Sequence, residues 1–101
     1  MSFGNKQQSS GMSKKKSTQK VRGQYQIILN NDNHNTFDHV IDCLMEICGH
    51  NYYQALQCAT LTHSAHKCSV FIDNFDSCIN ISEDLLKEGL DVEVIKYINH
   101  V

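Results

Sequence analysis

Asn31, Asp32 and Asn33 sit together in the polar stretch "LNNDNHNTFDHV" (residues 29–40), and His63 lies further along the chain. These are the residues whose types could do chemistry. All four can offer acceptors: two amide carbonyls, a carboxylate and a neutral imidazole nitrogen. A primary ammonium group is their complement, because it has three N–H donors and no acceptor. Phe37, Val40, Ala59 and Thr62 could supply an apolar wall beside such a cluster. A free peptide N-terminus with a bulky first side chain has the matching shape. The competing reading is a plain turn, since Asn and Asp bond their own backbone and tolerate left-handed geometry. The residues permit the first reading without demanding it.

The elements that must position these residues can be read from hydrophobic spacing. "YQIIL" (25–29) is a β-branched run of strand length. Phe37, Val40, Ile41, Leu44, Ile47 and Cys48 fall on one face of a helix, with Asn35 as its expected cap and Gly49 as its stop. Asn51 starts a second helix with Tyr52, Ala55, Leu56 and Ala59 inside, ending near His63–Ala65. "KCSVFI" (67–72) alternates as a strand, with Cys68, Val70 and Ile72 on one side. A third helix follows Asn74, with Phe75, Cys78, Leu85 and Leu86 as core contacts, and "VEVIKYI" (92–98) is the last strand. The order β-α-α-β-α-β predicts an α+β domain, a three-stranded antiparallel sheet with three helices packed on one side. Packing the first two helices as a hairpin would bring the polar stretch towards His63.

The net charge of −2 hides a split: residues 1–24 carry +6 and residues 25–101 carry −8. The expected organisation is a flexible basic extension over 1–24 and a core domain over 25–101. The acidic core should repel nucleic acid, and the arm has almost no aromatic to stack on bases. No apolar run is long enough to span a membrane, and the N-terminus lacks a signal-peptide core. The expectation is a cytoplasmic monomer that engages neither nucleic acid nor membrane.

Five cysteines, Cys43, Cys48, Cys58, Cys68 and Cys78, form no C-x-x-C pair, which fits a reducing compartment. His63 and His66 have ligand-like spacing, with His34 and His39 nearby, and so raise zinc as an alternative. The cysteines fall mostly on inner faces, where they act as small apolar residues. Nothing marks one as an activated nucleophile. No metal, no cofactor and no catalytic residue are therefore expected; the alternative is a small zinc-binding or general protein-interaction domain.

"YQIILNNDNHNTFDHVIDCL" resembles the opening of the ClpS adaptor family, whose pattern is an aromatic, a short apolar strand, Asn-Asp-Asp, an aromatic, Thr-Pro-Met and a helix. The similarity runs without a gap from Tyr25 to Lys67, through "ALQCATLTH" (55–63), and continues with less fidelity through "KCSVFIDNFD" and "LLKEGLDVEV". The resemblance implies a non-enzymatic adaptor for N-degron substrates. Such an adaptor binds a free α-amino group and a large hydrophobic first residue, and docks on the N-terminal domain of a ClpA- or ClpC-type AAA+ unfoldase that feeds a protease. By position, Asn31 and His63 would hold the α-amino group, with Asp32 and Asn33 beside them. Phe37, Val40, Ala59 and Thr62 would line the side-chain pocket, and Asp76 would face the unfoldase.

The departures also have physical content. Asn33 stands where the family has an acid, and opposite charges about 4 Å apart at a protein surface are worth roughly 4 kcal/mol before desolvation and screening. Asn35-Thr36 replaces Thr-Pro, Phe37 replaces Met, and Ala59 replaces a usual Met, so the pocket is reshaped. Ile81 stands where helix three usually has a basic residue.

Overall fold

The structure, a computed structural model, describes residues 22–98. The basic extension expected over 1–24 lies, up to residue 21, outside the described residues. The elements are β1 (Tyr25–Asn30), α1 (Phe37–Cys48), α2 (Tyr52–Ala65), β2 (Lys67–Asp73), α3 (Phe75–Lys87) and β3 (Val92–Lys96). The fold is α+β in the order expected, and the last strand stops two residues short of Ile98.

β1 is the central strand of one antiparallel sheet ordered β2-β1-β3. Its residues Ile27 and Leu29 are buried beneath the helices. Ile72 and Ile95, which both pair with Gln26, are exposed on the outer strands. α1 contributes Ile41, Cys43 and Leu44 to the core, α2 contributes Ala55 and Ala59, and α3 contributes Cys78 and Leu85. Each of these sets recurs at helical spacing, which is why the sequence pattern finds the helices.

Capping explains the helix boundaries. Asn51 and Gln54 form a reciprocal capping box at the start of α2, with bonds of 2.9 and 2.8 Å. The Asn74 side chain accepts from the Ser77 amide at the start of α3. At its end, the Leu90 amide donates to Leu85 and the Gly89 amide to Leu86, with Gly89 at φ +88°. That is a Schellman stop, which needs a left-handed residue.

Three inward assignments change in the structure. Ile72 is exposed because β2 is bulged: the register slips between Ile27 and Ile28, and Val70 is the extra residue opposite them. The Val70 carbonyl accepts from His50 Nε2 at 2.7 Å. Leu86 is exposed because the inner face of α3 runs through Cys78, Ser82 and Leu85. Tyr52 is exposed in the first turn of α2, where Ala55 begins the buried face.

Candidate functional site

The segment between β1 and α1 is built by its own aspartate. The Asp32 carboxylate accepts from the His34 amide at 2.8 Å, the Asn35 amide at 3.0 Å and the Asn35 side-chain nitrogen at 2.9 Å. Partial burial alone would raise the Asp32 pKa. The bonds from Asn35 and His34 outweigh it and hold the carboxyl below its ordinary 3.8. Asn35 therefore does not cap α1. Its side chain donates to Asp32 and to the Gly89 carbonyl at 2.9 Å, tying the loop to the turn after α3. Thr36 caps α1 instead, accepting from the His39 amide at 3.0 Å.

Two backbone bonds fix where the loop begins. The Asn30 amide donates to Asp91, and the Asn31 amide donates to the His66 carbonyl at 2.9 Å. His66 ends α2 in a left-handed conformation, φ 77°, which turns its carbonyl back towards β1. His63 sits in the last turn of the same helix.

These connections leave a hollow of about 270 Å³ between the loop, α1 and α2. It is lined by Asn31, Asp32, Asn33 and His63, and by Phe37, Val40, Ala59 and Thr62. All eight residues expected from the sequence thus border one cavity. Leu29, Asn30 and Asn35 also line it. Asn35 joins the site rather than the helix cap that its spacing suggests. The signal for it is the acceptor-rich run around it, which leaves an amide beside Asp32 whatever caps the helix. Asp76 is exposed in the first turn of α3 and does not line the hollow.

The lining divides by chemistry. Ala59 and Thr62 are buried, and the Thr62 hydroxyl donates to the Cys58 carbonyl at 2.8 Å within its own helix. That leaves its methyl as the surface it offers. Phe37, 42% exposed, stands at the rim. Asn31, Asn33 and His63 are exposed, and no side-chain bond engages them among the described residues. The site therefore combines free acceptors with an apolar wall, next to a carboxylate whose charge persists even in mild acid.

The cysteines offer little nucleophilic chemistry. Burial pushes the Cys48 thiol up to about 12 and also raises Cys43, Cys58 and Cys78, so these sulfurs stay protonated near neutral pH. Among the described residues, no helix is long and apolar enough to cross a membrane.

No curated protein matches the sequence. Among solved structures, Agrobacterium tumefaciens ClpS2 bound to L-phenylalaninamide is similar in fold, with a TM-score of 0.64 and 18% identity. The similarity covers 70% of this chain and 93% of that one. The model of the family "ATP-dependent Clp protease adaptor protein ClpS" matches residues 20–93, far more than half of the sequence. Element order, fold and this match agree, and the chain belongs to the ClpS adaptor family.

Proposed function

We propose that this chain is an N-degron adaptor: it binds a free α-amino group and a bulky hydrophobic first residue, and delivers the bearer to a Clp AAA+ unfoldase. The carrying observation is the single hollow lined by Asn31, Asn33 and His63 on its polar side and by Phe37, Val40, Ala59 and Thr62 on its apolar side. An ammonium group needs three acceptors and cannot use a donor. Asp32 serves as a fixed negative charge behind the loop, because three N–H groups already occupy its oxygens. Asn31 and His63 make the direct contacts, and Asn33 assists. Burying a Phe or Leu side chain in the hollow would add about 1.5–3 kcal/mol.

L-Phenylalaninamide, the compound bound by the Agrobacterium relative, carries a free α-amino group and a benzyl side chain. The same two features are what this hollow is suited to take. The adaptor makes and breaks no bond. Asp76, exposed on α3, is the proposed contact with the unfoldase N-terminal domain. The basic residues 1–24 are proposed to assist hand-over in the cytoplasm.

Fluorescence anisotropy with peptides beginning Phe, Tyr, Trp or Leu tests the binding. Free peptides should bind, and N-acetylated ones should not, since acetylation removes the charge and two donors. Equal binding of both forms would reject the ammonium site. Degradation of a Phe-initiated reporter by a purified Clp unfoldase–protease tests delivery. Asp76→Ala should slow it while leaving peptide affinity intact.

A further inference from the structure

His39, Cys43 and Glu88 meet outside the hollow. Each offers one ligand atom, and the three atoms lie within 4.8 Å of one another. None of the three lines the peptide hollow. His39 and Cys43 are four residues apart and so share one face of α1, while Glu88 ends α3. Among the described residues, no other such trio of His, Cys, Asp and Glu is present.

We propose that His39, Cys43 and Glu88 form a divalent-metal site, with Zn²⁺ as the fitting ion, that staples α1 to the end of α3. An imidazole, a thiolate and a carboxylate are the zinc donor set, and three protein ligands leave the fourth position to water. His39 Nε2, the nitrogen nearer the sulfur, lies 3.5 Å from Cys43 Sγ, with Nδ1 at 4.0 Å, and Nε2 also donates to the Glu88 backbone carbonyl at 2.9 Å. Tetrahedral zinc with ordinary bond lengths separates sulfur from nitrogen by roughly 3.6 Å. Nε2 and Sγ already stand close to that separation, and on binding the imidazole proton passes to Nδ1 as Nε2 exchanges the Glu88 carbonyl for the metal.

The electrostatics point the same way. Three acidic side chains, Glu88, Glu46 and Asp42, bear on the Cys43 sulfur through their charge. Those acids that oppose a thiolate in isolation attract a dication. On binding, the Cys43 S–H proton leaves to bulk water as the metal–sulfur bond forms, with no change of oxidation state. The site also braces the peptide hollow from behind. Glu88 adjoins Gly89, whose carbonyl holds Asn35 and through it the Asp32 loop.

Titration of metal-free, reduced full-length protein with Zn²⁺ against a chromophoric chelator tests the site, with Co²⁺ as a spectroscopic probe. One equivalent should bind, and Co²⁺ should give a thiolate charge-transfer band. Cys43→Ser should remove the band. His39→Ala and the surface variant Glu88→Gln should each weaken Zn²⁺ binding about tenfold or more. Circular dichroism identifies a variant that fails to fold, and Glu88→Gln keeps the test decisive if Cys43→Ser does. Failure to bind Zn²⁺, absence of the Co²⁺ band, or unchanged affinity in both His39→Ala and Glu88→Gln overturns the assignment. The readout needs no peptide and is independent of the adaptor reading.

Discussion

The amide of Asn31 donates to the carbonyl of His66 at 2.9 Å, joining the first residue after the central strand to the residue that closes α2. This bond crosses between elements far apart in sequence and brings the Asn31 side chain to the hollow that His63 also lines. The adaptor reading therefore assigns the two side chains one ligand group. Asn31→Ala and His63→Ala should each weaken binding of a Phe-initiated peptide by about ten- to a hundredfold, the range for a hydrogen bond to a charged group. Neither should shift the thermal midpoint much, because both side chains are exposed. A double-mutant cycle measures the coupling; additive losses would mean the two residues hold different parts of the ligand.

His66 contributes to the same contact through its backbone alone. It is the non-glycine residue held at positive φ among the described residues, and a side chain there costs roughly 1 kcal/mol. His66→Gly removes that strain but adds freedom to the unfolded chain. The expected result is a thermal midpoint unchanged or raised by a few degrees, with peptide affinity intact. A loss of peptide binding in this variant would show that the imidazole of His66 itself touches the ligand.

Asp32 is predicted to act first on the loop and only then on the ligand. Asp32→Ala removes the acceptor for three N–H groups, and because the loop is partly open to water the cost should be about 1–2 kcal/mol at neutral pH. The sign of its pH dependence comes from the lowered folded pKa. The native state holds the carboxylate more tightly than the unfolded chain does, so the contribution is full above the ordinary 3.8 and fades as pH falls through the lower folded value. Denaturant unfolding of both proteins should give a gap that is constant above about pH 5 and shrinks below the ordinary carboxylate range. A gap that grows in acid would contradict the hydrogen-bonded loop.

Legibility in the sequence depends on the range of the forces involved. Helix faces, the Asn51 and Asn74 caps and the Gly49 stop depend on neighbours within a few residues, and pattern alone finds them. The hollow's lining needs acceptor chemistry and family resemblance together. Asn35 and Thr36 are both acceptable caps by type, and the choice falls to Thr36 only once Asp32 and the Gly89 carbonyl claim Asn35. The Val70 bulge leaves no local mark, because one extra residue preserves the alternation before it and inverts the alternation after it. Cys43 stands off the apolar face that spacing gives for α1, yet it is buried; that burial and its meeting with His39 and Glu88 depend on how α1 packs on α3.

Side-chain size at position 59 should set which first residue the hollow prefers. Ala59 is almost fully buried at 3% exposure, yet it lines the cavity that Phe37 borders at the rim. Ala59→Met extends an unbranched side chain into space that a ligand would otherwise fill. Met adapts its rotamers to irregular gaps, so the fold should tolerate the change. A large indole would then have to displace it, at a cost of about 1–3 kcal/mol for overpacking, whereas a Leu side chain would need less room. The expected outcome is a loss of about tenfold in affinity for Trp-initiated peptides and a smaller loss for Leu-initiated ones. The ratio between peptides is the informative quantity, because a general loosening of the site would weaken both equally. An unaltered ratio would place the first side chain somewhere other than against Ala59.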